Sequence, residues 1–139
     1  MKFEVRAAAP AGTHTQWTAQ NELLPPIPCA IPPEFMGPGE GYSPEDLFAM
    51  ALLNCLIATF KVYCEMAKVT FQEIQGRATI TLDKQAGQSS LAMTQADIFL
   101  DVSGASDQGR VRKLLDNAVK DCAVSNSIKT GKTFHINVS

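Results

Sequence analysis

The sequence has no excess of positive charge. Twelve Lys and Arg stand against fourteen Asp and Glu, a formal net charge of -2 with a pI near 5.6. The cations are scattered, and no basic stripe interleaved with aromatic residues occurs. The electrostatic footprint of a nucleic-acid or anionic-membrane binder is therefore missing. Paired metal-ligand spacings are also missing: there is no CxxC or HxxH, and His14 and His135 lie far apart in sequence, so no metal site is expected. The four cysteines, Cys29, Cys55, Cys64 and Cys122, are too few and too dispersed for a disulfide scaffold. No long hydrophobic run is present. The most apolar stretch, LFAMALLNCLIATF at 47–60, is too short to span a membrane and is interrupted by Asn54, so it reads as a buried helix. MKFEVRAAAPAG at the N-terminus has no continuous apolar core of the kind a signal peptide needs. The expectation is a cytoplasmic protein that binds neither membrane nor nucleic acid. At 45% hydrophobic and 19% charged residues, the composition is that of a globular chain, and its length suits a single domain over residues 1–139.

The residues that are present divide into clear segments. KFEVR at 2–6 alternates like a strand, and THTQWTAQNE at 13–22 begins a second. LLPPIPCAIPPEFMGPGEG, residues 23–41, packs six prolines and three glycines into one short segment. Prolines fix φ and remove backbone donors, so this segment should be extended and mostly outside a regular sheet, a stiff connector. Its PP pairs also fit a ligand for a proline-recognition domain, a less economical reading. Ser43-Pro44-Glu45-Asp46 then opens a helix: a capping hydroxyl, proline at the first helical position, and two acids at the positive end of the macrodipole. The span 44–67 makes a rod about 35 Å long. Leu47, Phe48, Met50, Leu52, Leu53, Leu56, Ile57 and Phe60 cover nearly its whole circumference. A helix apolar all round must be buried on all sides, which one small domain can scarcely do, so a homodimer is expected.

TFQEIQGRATITL at 70–82 and LAMTQADIFLDVS at 91–103 alternate with period two around the turn-like DKQAGQSS, a long antiparallel hairpin. Asp107 to about Val119 is an amphipathic helix with Val111, Leu114, Leu115 and Ala118 on one side. Cys122 to Ile128 reads as a break followed by a short helical turn, and TFHINV closes the chain as a strand. The order is that of an α+β domain.

Cys55 lies mid-helix, where the helix dipole does little for its thiol, and buried free cysteines are commonly core filler. Glu45 precedes it by ten residues. Ten steps of about 100° leave the two roughly 80° out of alignment and about 15 Å apart along the axis. They can share a site only through an intermediary residue or a second subunit. Cys64, nine residues past Cys55, points to the opposite side, so those two cannot bridge. Cys122 stands at a helix break ahead of VSNS, where a thiol can gain thiolate character.

Two segments carry a family resemblance. GYSPEDLFAMALLNCLIATF resembles the Gly-x-x-Pro-Glu-x-Leu start, apolar run and cysteine of the osmotically inducible protein C and organic hydroperoxide resistance proteins (OsmC/Ohr). DCAVSNSI resembles that family's downstream Cys-Pro-Val-Ser motif, and the 67-residue spacing from Cys55 to Cys122 suits it. The resemblance covers roughly residues 40–138 and implies the OsmC-like fold: antiparallel sheets packed around two central helices in an intertwined homodimer, with active sites at the subunit boundary. It implies a peroxidase that reduces organic hydroperoxides or hydrogen peroxide and needs no cofactor. In that reading Cys55 is the peroxidatic cysteine and Cys122 the resolving one, with a dithiol as final reductant. Glu45 matches the glutamate that orients an arginine beside the thiolate. The chain departs from the pattern at Ala123, where the family has proline. It also lacks a matching arginine in its N-terminal region, where Arg6 and His14 are the nearest candidates. A rival reading on the same fold is a non-enzymatic module that holds a small hydrophobic ligand at the dimer cleft.

Mild oxidation is expected to link Cys55 to Cys122, as peptide mapping under non-reducing conditions would show. Pairing through Cys29 or Cys64 instead would contradict the assignment.

Overall fold

The structure, a computed structural model, describes residues 1–139. The backbone separates into two compact units, Met1–Phe48 and Ala49–Ser139.

In the first unit, three short strands, β1 (Arg6–Ala8), β2 (Trp17–Gln20) and β3 (Ile27–Cys29), form an antiparallel sheet in that order. The first strand falls later than the alternation of KFEVR suggests. The proline-rich segment also contributes more to the sheet than its prolines suggest, because Pro28 lies within β3 opposite Thr18. β3 is an edge of this sheet, where a missing N–H is tolerated. The Pro28 carbonyl accepts the Tyr42 N–H at 2.9 Å, and the Ala30 N–H donates to Tyr42 O at 3.2 Å. Cys29 is buried here. Pro33–Phe35 forms a single 3-10 turn, closed by Met36 at φ 61°.

Helix α1 (Pro44–Ala67) begins as the local grammar requires. The Asp46 N–H donates to Ser43 Oγ at 3.0 Å, and the Ser43 N–H donates to Asp46 Oδ2 at 2.9 Å, a reciprocal capping box. At the far end Lys68 turns left-handed at φ 55°, and the Val69 N–H reaches back to Cys64 O at 3.0 Å.

In the second unit, β4 (Glu73–Lys84) and β5 (Leu91–Ser103) form the expected antiparallel hairpin, with an irregularity at Thr81/Leu82. Helix α2 (Gln108–Asp121) starts at Asp107, whose side chain accepts the Arg110 N–H at 3.0 Å. The short helix α3 (Ala123–Asn126) follows, and β6 (Gly131–Val138) joins β5 in parallel. A parallel neighbour requires a crossover, and α2 and α3 provide it. The sheet order β4-β5-β6 leaves β5 central, with Ala96, Ile98, Leu100 and Val102 buried on one face. Against that face lie Leu52, Leu56, Phe60 and Cys64 of α1 and Val111, Leu115 and Ala118 of α2, forming one continuous core. α1 approaches β4 closely at Gly76, where a Cβ would meet Leu53 Cδ1 at 2.7 Å.

One expectation about α1 changes. Within this chain it is not buried on all sides, since only the stripe Leu52, Leu56, Phe60 and Cys64 is fully covered. Met50 (40%), Val62 (54%) and Met66 (76%) remain exposed. The helix also runs past the apolar stretch 47–60. At 24 residues, with a mean hydropathy of 1.8 in its most apolar window, it is long and apolar enough to cross a membrane by length and composition alone. In this fold its buried stripe lies on the sheet instead.

Leu56→Ala removes a fully buried side chain at the centre of this stripe. It should cost about 3 kcal/mol of unfolding free energy, read from the denaturant midpoint.

Candidate functional site

Cys55 sits on the flank of the buried α1 stripe, half-buried rather than sealed in. Opposite it is the elbow between α2 and α3, where Cys122 both ends α2 and caps α3. At φ -63° and ψ 113° the Cys122 backbone leaves the helical region for one residue, which turns its side chain out of the run of α2. Its Sγ accepts the Ser125 N–H at 3.4 Å. The elbow is stapled by Asn126 Nδ2, which donates to Lys120 O at 2.9 Å, and by Ser127 Oγ, which donates to Ala123 O at 2.7 Å.

The electrostatics separate the two thiols. Burial pushes the Cys55 thiol up. The Val124 N–H, the Cys122 thiol, Thr59 and the Ala123 N–H all favour its thiolate, and together they outweigh burial, so its pKa is lowered. The Thr59 hydroxyl, one turn on from Cys55, donates to Cys55 O at 2.8 Å. Cys122 moves the other way. Burial and the adjacent Cys55 push it up to about 11, against the opposing pull of the Ser125 and Val124 N–H groups. Cys55 is therefore the more readily ionised of the two, and the Cys122 thiol beside it favours that charge. Neither cysteine is in a disulfide. The two neighbouring thiols are thus shifted in opposite directions, an arrangement suited to nucleophilic attack by one sulfur and capture by the other.

Of the sequence candidates, the structure brings Cys55 and Cys122 together. Glu45 makes no hydrogen bond or ion pair, and its Oε2 is closed off from solvent without a partner. Cys64 is fully buried in the core, where burial raises its pKa. The arginines are engaged elsewhere. Arg6 pairs with Glu4 at 2.8 Å. Arg77 lies over the Phe99 ring at 4.1 Å, in a sheet row turned away from the core, and Phe99 stacks on His135 at 4.3 Å. Arg110 Nη2 donates to Ala67 O at 3.1 Å, and Arg112 pairs with Asp116 at 3.2 Å. Within Ala49–Ser139 the Cys55 thiolate is thus favoured by N–H and S–H donors, not by a guanidinium. The Ala123 and Val124 amides and Thr59 were not legible as site groups from residue type. The only signal was the capping character of VSNS after Cys122. No group of acidic, histidine and cysteine side chains is arranged to hold a metal ion.

The family model for OsmC-like proteins matches residues 37–137. The chain belongs to the OsmC-like family. Among solved structures, an OsmC-like protein of unknown function from Vibrio cholerae superimposes with a TM-score of 0.84 at 16% identity, covering 98% of this chain and 99% of that one. An organic hydroperoxide resistance protein OsmC from Legionella pneumophila gives 0.71 at 20% identity, covering 100% and 97%. The organic hydroperoxide resistance protein OhrB of Bacillus subtilis gives 0.67 at 16%, covering 100% and 98%. At these identities the likeness is one of fold. A comparison with curated proteins finds no significant match. The α+β arrangement of two sheets and three α-helices is that of the OsmC-like structures, and the thiol pair of this OsmC-like chain lies within the matched residues.

The shifts have consequences for pH. A depressed thiol pKa contributes stability that is present above the unfolded value and lost as pH falls through the folded one. The raised Cys122 contributes stability below the unfolded value that is lost as pH rises towards about 11. Alkylation by iodoacetamide, followed site by site by mass spectrometry, should select Cys55 and reach half-maximal rate below the pH typical of a free thiol. Cys122→Ala removes one donor and should move that midpoint upward.

Proposed function

We propose that this protein is a thiol peroxidase of the OsmC/Ohr type that reduces organic hydroperoxides or hydrogen peroxide. The observation that carries this reading is the Cys55–Cys122 couple, one thiol lowered and the other held protonated beside it. Family membership and the names of relatives described as organic hydroperoxide resistance proteins support it.

In this mechanism the Cys55 thiolate attacks the distal peroxide oxygen. The O–O bond breaks, the alkoxide leaves and takes a proton, and Cys55 becomes a sulfenic acid. That product is neutral, so the charge which had disfavoured ionisation of Cys122 is gone. Cys122 then attacks the Cys55 sulfur, the S–S bond forms, the S–O bond breaks, and the leaving hydroxide is protonated to water. A dithiol of a partner reductant restores both thiols by exchange.

The active form is a homodimer in this reading. The uncovered apolar side chains Met50, Val62 and Met66 on α1 call for a cover. Glu45 Oε2, closed off and unpartnered, calls for a donor that a second copy can supply. Light scattering should give twice the 15.0 kDa chain mass. The rival, a module binding a small hydrophobic ligand, draws on the lack of a guanidinium at Cys55 within Ala49–Ser139.

The deciding assay follows cumene hydroperoxide and hydrogen peroxide consumption with a dithiol reductant. Cys55→Ser should fall to the uncatalysed background, and Cys122→Ser should stall after about one equivalent of peroxide per chain. Equal rates for the parent and Cys55→Ser would overturn the peroxidase reading and favour the binding module.

A further inference from the structure

α1 and α2 stand apart at one end, leaving an open cleft of about 430 Å³ lined by Tyr63, Met66, Ala67, Leu114, Asn117 and Asp121. Two side-chain hydrogen bonds cross between these helices. One, from Arg110 at the start of α2, holds the Ala67 carbonyl at the end of α1. The other joins Tyr63 Oη, which donates to Asp121 Oδ2 at 2.6 Å. Their positions along the chain give the second bond its meaning. Tyr63 is on the helix that carries Cys55, two turns further on. Asp121 is the last residue of α2 and the immediate neighbour of Cys122. The bond therefore ties the element bearing one thiol to the residue next to the other. It does so next to the one residue, Cys122, at which the α2–α3 backbone departs from helix.

Tyr63 is half-buried, its ring packed against the margin of the core, and Asp121 is exposed. The hydroxyl and the carboxylate themselves fill none of the hydrophobic interior, whose fully buried centre is Leu52, Leu56, Phe60, Val111 and Leu115, and Tyr63→Phe keeps the ring. The elbow's own staple, Asn126 to Lys120, holds α3 against α2 but does not reach α1. Beside apolar packing around Cys122 and the Ala123, Val124 and Cys122 groups that face Cys55, the Tyr63–Asp121 bond is the side-chain hydrogen bond that ties α1 to the residue at the start of the elbow.

We propose that Tyr63 and Asp121 are positioning residues that hold Cys122 against Cys55 and so set how readily the two close into a disulfide. The proposal rests on the redox reading of the thiol pair, which it deepens by naming what governs the second step. Disulfide closure is an intramolecular reaction whose rate and equilibrium follow the effective concentration of one thiol at the other. A brace next to Cys122 raises that concentration without touching the peroxide.

The test equilibrates the parent, Tyr63→Phe, Asp121→Asn and the double variant in buffers of reduced and oxidised glutathione. The effective concentration of Cys122 at Cys55 is read from the fraction of disulfide. Each single variant should lower it about fivefold, the size of losing one exposed hydrogen bond. The double variant should lower it no further, because a single bond is lost in each case. Absorbance titration should also show Tyr63, raised by its bond to Asp121, ionising at lower pH in Asp121→Asn. A parental effective concentration in either single variant overturns the proposal. So do two losses that add, since these would report a general loosening. Glutathione exchange requires no peroxide. A parent that consumes no peroxide, yet shows the non-additive loss, would refute the peroxidase reading and leave the brace standing.

Discussion

The seating of α1 on the inner face of β5 is the constraint on which the C-terminal unit depends. Leu52, Leu56, Phe60 and Cys64 recur every four residues and meet Ala96, Ile98, Leu100 and Val102, which recur every two. The two periods match only when one helical stripe lies over one sheet face. Burial of that surface fixes the rotation of α1, and the rotation decides where Cys55 points. One residue short of Leu56, it falls on the flank of the stripe and not within it. Its thiol is half-covered and meets the α2–α3 elbow instead of disappearing into the core as Cys64 does.

The elbow supplies the second half of the chemistry. Leaving helical geometry for one residue at Cys122 frees the N–H groups of the next turn from intrahelical duty. Those of Ala123 and Val124 favour negative charge on Cys55, while the Ser125 N–H is taken by Cys122 itself. Backbone amides thus do locally part of what a cation would otherwise do, and with the Cys122 thiol and Thr59 they outweigh the cost of partial burial. Ala123 bears on this point. The resemblance places proline at that position, and proline has no N–H to offer, so alanine adds a donor that the usual pattern lacks.

Much of the architecture was readable from residue pattern because it is governed by local rules. Ser43 opens α1, the amphipathic stripe from Asp107 makes α2, and the alternation over 70–82 and 91–103 makes the hairpin, whose strands fall at Glu73–Lys84 and Leu91–Ser103. Other features were not readable. β3 contains Pro28, which propensity alone would exclude, because an edge position removes the penalty. β6 pairs in parallel with β5, and strand alternation carries no information about direction. The apolar circumference of α1 suggested burial on every side, whereas the single chain covers one stripe and leaves Met50, Val62 and Met66 open.

The sequence by itself determined the long helix, the hairpin, the second helix, the family resemblance and the pair of candidate cysteines, because caps, periodicity and motif spacing are properties of neighbouring residues. Only the tertiary structure decided which thiol is lowered and which is raised. Isolated thiols differ little, and their separation comes from unequal burial and from the aim of the Ala123, Val124 and Ser125 amides. It also decided that Arg77, Arg110 and Arg112 would be spent on Phe99, Ala67 and Asp116. Finally, it brought Tyr63 to Asp121 across 58 residues, because contacts of that range are set by how helices lie on the sheet, which no local pattern encodes.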